Sequence, residues 1–211
     1  MMMLLKDEDF LKEVGVHYTI IQLIPTQNVA FQDLKEKHWA YAAVKDLAQK
    51  GIIQGISEAK FAPNQSLKVN DACTLLDRIL LANHKVATKL SREVVAKYIK
   101  EEKNWAYAHK MSIGSKLSEE TLKSIANLGD QPITRQLLAQ VLYELTEENQ
   151  MEAINSFEDM NDSPYQEALT YCYHKELLKG VKEGQMAPER PVTRAEMAVI
   201  LMRLEILLSN K

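Results

Sequence analysis

Thr193-Arg194-Ala195-Glu196 is the stretch of this sequence whose residue types and spacing could most readily do chemistry. Thr followed three residues later by Glu is a capping box, in which two side chains satisfy free N–H groups at a helix start. Arg194 has no such duty, and a cation at a helix N-terminus is slightly disfavoured by the macrodipole. It therefore wants another partner. A bidentate grip on a carboxylate ligand would supply one, because the planar guanidinium fits that group; an intramolecular salt bridge would supply it equally. Arg135 holds the same place in Thr134-Arg135-Gln136-Leu137, without the Glu. In Lys68-Val69-Asn70-Asp71 the Arg is replaced by Val69 and the Glu by Asp71. Lys68 stands one position early and cannot make a bidentate contact.

Aromatic and acidic residues recur in step with these arginines. The block Trp-Ala-Tyr-Ala occurs at 39–42 and 105–108 and contains both tryptophans of the chain, Trp39 and Trp105. An indole at a helix start either stacks on a sugar face or flat ligand, or packs between repeats; Tyr165 follows Pro164 where a third copy would fall. Asp33 and Asp159, in Phe-Gln-Asp and Phe-Glu-Asp, either contact ligand hydroxyls or cap turns. Catalytic and metal chemistry find no support. The five His are scattered, with no His-Glu-x-x-His and no Cys-x-x-Cys, and Cys172 with His174 would need further ligands from elsewhere. Gly51 and Gly55 belong to a helix ending rather than a phosphate-binding turn. No nucleophile lies beside a base, so no catalytic residue, metal or cofactor is expected.

The elements that position these residues are helices. Ala40, Ala43, Val44, Leu47 and Ala48 follow the rhythm of an amphipathic helix, which Gly51 and Gly55 end. A loop with Phe61 and Pro63 leads to a second helix with Val69, Ala72, Cys73, Leu76, Ile79 and Leu80 inward. Adding 125 brings the unit back, with Gly55 on Gly180, Pro63 on Pro188 and Leu67 on Val192. There Ser163-Pro164 reads as an N-cap and first helical residue, with Gln166 completing a capping box, and the last helix is expected to bury Ala195, Ala198, Val199 and Met202. Adding 66 yields a weaker middle copy, with Trp39 on Trp105 and Leu67 on Ile133. Its Gly loop is replaced by Ser-Glu-Glu-Thr-Leu-Lys-Ser-Ile-Ala-Asn-Leu-Gly-Asp, an extra helix capped by Ser118. The expected division is an extension (1–30), a first repeat (31–83), a divergent second with the inserted helix (84–149) and a third (150–211). The extension reads as a short helix and then extended chain with Pro25 and Asn28; residues 84–103 read as a charged helix entered at Ser91.

Composition bounds the functions. The net charge of −3 implies no broad basic surface, so duplex nucleic acid is not an expected partner. No stretch approaches the roughly 18 apolar residues of a membrane span. The acidic start does not read as a secretory signal, and two cysteines make no disulfide framework. The compartment expected is the cytoplasm, or the cell surface where an export signal is missing from this sequence.

Taken together, Phe-x-Asp, His-Trp-Ala, Lys-Gly-Ile-Ile-x-Gly, Phe-x-Pro and Thr-Arg-Ala-Glu resemble the S-layer homology domain. The resemblance covers about residues 31–208, strongly in the first and third copies and thinly in the middle. It implies an all-α pseudo-threefold prism of three helix-loop-helix repeats with grooves between neighbours. It also implies a non-catalytic module binding bacterial cell-wall polysaccharide, often through an anionic pyruvyl sugar. The groove residues so implied are Arg194, Arg135, Trp39, Trp105, Asp33, Asp159, Tyr165 and Lys68. The alternative is a cytoplasmic or phage-encoded protein that uses the same grooves for another anionic small ligand, such as a nucleotide-like signal, or for a protein. Oligomeric state is not legible.

Overall fold

Helix periodicity in the sequence is matched by helices in space. The computed structural model describes residues 23, 25–26, 29–83, 116–146 and 157–209. Among these residues the elements are α1 (Tyr41–Gln49), α2 (Val69–Ala82), α3 (Glu119–Leu128), α4 (Arg135–Thr146), α5 (Gln166–His174) and α6 (Arg194–Ser209). A 3-10 turn covers Glu158–Met160, and β pairing is confined to isolated bridges. The fold class is all-α. The helix expected near the N-terminus, the charged helix at 84–103 and Trp105 lie outside the described residues.

The first copy forms as its pattern dictates. Ala40, Ala43, Val44, Leu47 and Ala48 are buried, as are Val69, Ala72, Cys73, Leu76, Ile79 and Leu80. Gly51 ends α1 with φ of 77°, and the Ile52 N–H closes the end on the Leu47 carbonyl (2.9 Å). In the third copy Glu176 fills that left-handed position with φ of 56°, which costs a side-chain-bearing residue about 1–2 kcal/mol. The inserted helix α3 is capped by Ser118, whose hydroxyl accepts from the Thr121 N–H.

Two local expectations are corrected. Helix α5 begins at Gln166, not at Pro164, because the Ser163 hydroxyl is engaged elsewhere. It donates to Gln136 Oε1 on α4 (2.8 Å) and accepts from the Tyr165 N–H (3.1 Å), while Gln166 reaches Asn161. Helix α6 buries Ala195 and Ala198 as expected, but Val199 and Met202 only partly. Met197, Ile200, Leu201 and Leu204 are buried with the two alanines. The reason is packing on two sides, against α1 and against α2, so no single stripe describes it.

The three copies meet at one ring of backbone hydrogen bonds. The Leu67 N–H donates to the Val192 carbonyl (2.9 Å), Val192 to Ile133 (2.9 Å), and Ile133 back to Leu67 (2.8 Å). These are the three residues related by the offsets 66 and 125, each two positions before a second helix. Their side chains are at most 1% exposed, so the ring sits in the apolar core. Three bridges, Ser66 with Thr193, Lys68 with Pro132 and Thr134 with Pro191, flank it. Beyond the ring each second helix packs on the next copy: α2 on α3, α4 on α5, and α6 on α1. The order of contacts is therefore cyclic.

Candidate functional site at the seams between copies

Each second helix starts against a loop of the next copy. The Arg194 and Ala195 N–H groups donate to the carbonyls of Gln65 and Pro63. Arg135 and Gln136 donate to Arg190 and Pro188, and Val69 and Asn70 to Gln131 and Gly129. Thus the first free donors of all three helices, which would otherwise be orphaned, are satisfied across a seam.

The two arginines use that proximity in the same way. Arg194 Nε donates to the Phe61 carbonyl (2.8 Å) and Nη2 to the Gln54 carbonyl, and its guanidinium lies 4.7 Å from the centre of the Phe61 ring. Arg135 Nε donates to the Met186 carbonyl (2.7 Å) and Nη2 to the Lys179 carbonyl (2.6 Å), with the Met186 sulfur 3.0 Å away. Gln54 and Phe61 become Lys179 and Met186 on adding 125, so one clamp is built twice. Within the protein the partners of both arginines are backbone carbonyls rather than the acid of a salt bridge. In both, Nη1 has no bond among the described residues. Burial pushes both guanidinium pKa values down, against the opposing charges of Asp71 and Asp33 at Arg194 and of Glu196 and Asp159 at Arg135. Their exposure differs: Arg135 is 3% exposed and Arg194 only partly buried.

From the other side the same loops are held by acids of their own copy. Asp33 accepts from the N–H groups of Phe61 and Ala62 (both 2.8 Å), and Asp159 from those of Met186 (3.0 Å) and Ala187 (2.8 Å). Ala62 and Ala187 are left-handed, with φ of 59° and 53°, a conformation needing such support. Burial pushes the Asp33 carboxyl up, but the two backbone donors outweigh it and hold it below the ordinary Asp value of 3.8. Gly55 is required where the loop turns: a Cβ there would lie 2.5 Å from the Phe31 ring and 2.4 Å from the Ser57 carbonyl. Gly180 meets Phe157 at 2.9 Å in the same manner. Phe-x-Asp is thus one device, its ring covering the glycine and its carboxylate gripping the loop.

The middle copy departs as a set. Its Gly loop has become α3 (Glu119–Leu128), so the two loop carbonyls that the arginines hold in the other copies have no loop to present them here. Val69, 0% exposed, stands where an Arg would reach for them. A second exchange goes with it. Arg78 and Arg203 reach the Ile52 and Leu177 carbonyls at the ends of α1 and α5. Adding 66 to 78 gives Glu144, which accepts from the Ser118 N–H (2.7 Å), the Ser118 and Thr121 hydroxyls (both 2.8 Å) and Gln140. Glu144 anchors the inserted helix. Sequence reasoning missed it, although the offset of 66 pointed there.

The remaining candidates differ in their surroundings. Trp39 is 63% exposed and stacks on His38 (ring centres 5.3 Å apart), so most of its ring faces solvent. Tyr165 is partly buried against the core. Lys68 makes an exposed contact with Asp130 (3.4 Å). Trp105 has no described position. The capping box at Thr193 is formed: its N–H donates to Glu196 Oε2 (3.0 Å), and Glu196 returns its own to the Thr193 hydroxyl (3.2 Å). Arg190 also pairs with Glu196. Burial pushes the Glu196 carboxyl up, and Arg190 with the Thr193 N–H outweighs that, leaving it below its ordinary 4.5. Cys172 is buried against the Ala139 carbonyl, and burial pushes its thiol far up. Among the described residues no group of three or more His, Cys, Asp or Glu is placed to hold a metal, and no helix is long and apolar enough to cross a membrane.

Comparison with known proteins adds identity to this geometry. Residues 30–68 and 156–198 match the S-layer homology domain, so the chain carries two copies of that domain. They are the two copies in which Phe-x-Asp, the glycine and the clamped loop are intact. The chain is also similar to an endoglucanase of Bacillus sp. (strain KSM-635), 27% identical over 184 residues. That alignment covers 82% of this chain and 18% of the endoglucanase.

Two outcomes follow from the clamps. Val69→Arg should lower the unfolding free energy by about 3–5 kcal/mol, because it puts a cation at a fully buried position where α3 replaces the loop that clamps Arg194 and Arg135. Urea titration followed by circular dichroism reads this, and an unchanged midpoint would contradict it. Asp33 and Glu196 have lowered folded pKa values. Their contribution is present above the unfolded values of 3.8 and 4.5 and is lost as pH falls through the folded ones. Asp33→Asn and Glu196→Gln should each flatten the fall in stability below about pH 4.5; slopes equal to the wild type would refute the assignment.

Proposed function

We propose that this chain, as a carrier of S-layer homology domains, is a non-catalytic module that binds bacterial cell-wall polysaccharide at the cell surface. The observation that supports it most is the coincidence of the two domain matches with the two copies that build the clamped loop. A loop fixed from both sides is a rigid lip for a groove, and rigidity in the free protein limits what binding must order. The ligand proposed is an anionic, pyruvylated secondary polymer. Arg194, only partly buried, offers its guanidinium to the carboxylate, and Trp39, 63% exposed, offers a ring to a sugar face. Asp33 and Asp159 act on this reading through the loops they hold, and Arg135, Lys68, Tyr165 and Trp105 rank behind. The endoglucanase similarity fits a binding part of a larger enzyme, since the alignment takes in only 18% of that protein.

Purified bacterial cell walls should sediment the protein, and removal of pyruvyl groups from the walls should release it. Arg194→Ala should weaken the binding about 10–100-fold, the worth of one charge-assisted contact. Well-folded wild-type protein that stays in the supernatant would overturn the reading.

A further inference from the structure

We infer that His38 is a pH-sensitive cap on α1: its neutral ring holds the entry of the first copy and the neighbouring Trp39 in place, and protonation releases both. The inference stands apart from what the chain binds.

His38 does in the first copy what Ser163 does in the third, the two being related by the offset of 125. The Ser163 hydroxyl accepts from the N–H two residues on, that of Tyr165 (3.1 Å). His38 Nδ1 accepts in the same way from the Ala40 N–H (3.2 Å). Ala40 is 0% exposed, and its N–H has no other acceptor among the described residues. Water cannot replace the ring there unless the chain moves, and a buried N–H without an acceptor is costly. Nδ1 accepts only while it carries no hydrogen, so the bonded ring is the neutral one with its hydrogen on Nε2. Imidazole changes charge between about pH 5 and 8, and a serine hydroxyl does not. One copy therefore starts its first helix on a titratable acceptor and the other on a permanent one.

The neighbouring copies treat the two caps differently. Ser163 also donates to Gln136 on α4 (2.8 Å), which in turn holds Glu189. Fifty-nine residues on, the place of Gln136 is taken by Ala195 on α6, whose methyl group can bond nothing. What the His38 ring holds besides Ala40 is Trp39: the two rings stack with centres 5.3 Å apart and planes 28° from parallel. The indole has no other ring partner among the described residues. Releasing the imidazole therefore frees the indole, and any contact made through Trp39 gains a pH dependence from a residue that takes no part in it. No charged group is bonded to the His38 ring among the described residues. Lys35, Glu36 and Lys37 belong to its own turn. On α1, Lys45 lies over the Tyr41 ring, and Asp46 pairs with Lys50 at the C-terminal end, where Glu205 of α6 joins them. At the start of α6, Arg194 is held by the Phe61 and Gln54 carbonyls and Glu196 by Arg190.

The test follows the full chain by amide, indole and imidazole NMR from about pH 8 to about pH 5, the range in which imidazole changes charge. The Ala40 amide and the Trp39 indole N–H should shift on one curve with the His38 ring. Exchange of the Ala40 amide, corrected for its intrinsic pH dependence, should quicken at least about tenfold as the acceptor is lost. The Tyr165 amide, on its serine cap, is the internal reference and should stay flat. His38→Ser installs the cap of the third copy; it should keep α1 and abolish the response at Ala40 and Trp39. An Ala40 amide and an indole that ignore pH while the His38 ring titrates would overturn the inference, as would an undiminished response in folded His38→Ser. Should that variant not fold, the wild-type comparison of Ala40 with Tyr165 decides alone.

Discussion

Three backbone hydrogen bonds, from Leu67 to Val192, from Val192 to Ile133 and from Ile133 back to Leu67, tie the described parts of the three copies together. A chain of repeats has no inherent reason to close, and most solenoids do not. Here each copy lends one N–H and one carbonyl to a ring in the apolar core, where an unmade bond would cost far more than in water. Once the ring exists, the second helices must leave it in three directions, and each arrives against the following copy. The seams, and the loops lining them, are consequences of that closure.

The clamps show how a side chain with an apparent binding role is absorbed by architecture. Arg194 and Arg135 each hold two backbone carbonyls, and Asp33 and Asp159 hold the N–H groups of the same loops. A loop seized from both sides can keep an alanine at positive φ, as at Ala62 and Ala187. On the proposed reading, fixing the lip in advance also serves recognition, because the cost of ordering it falls on folding rather than on binding. Two nitrogens of each arginine serve the loop, and Nη1 has no bond to the other described residues.

Much of this was legible in the sequence, and the remainder was hidden for one physical reason. Helices α1 and α2 lie where apolar spacing put them, and α3 is capped by Ser118 as its sequence implied. Glycine, proline and Phe-x-Asp punctuate the copies strongly enough to give the offsets of 66 and 125. What the sequence withheld was the partner of each charge. Arg194 was weighed against a ligand or an acidic side chain, and Asp33 against hydroxyls or turns, whereas both bond backbone. Backbone groups are present at every position, so no pattern of residue types marks them as partners. A signal existed all the same: Val69 replaces the arginine in the copy whose successor has lost its loop. The start of α5 was misplaced for a similar reason, Ser163 being bonded to Gln136, which is remote in sequence.

The central claim is that the three copies are one cooperative body tied at the Leu67–Val192–Ile133 ring. Native-state hydrogen exchange measures it directly at those three amides. The account predicts that all three exchange only through global unfolding, with one shared protection free energy that shifts together in mild denaturant. Exchange of any one of them through a separate, lower-energy opening, with the other two still protected, would contradict it.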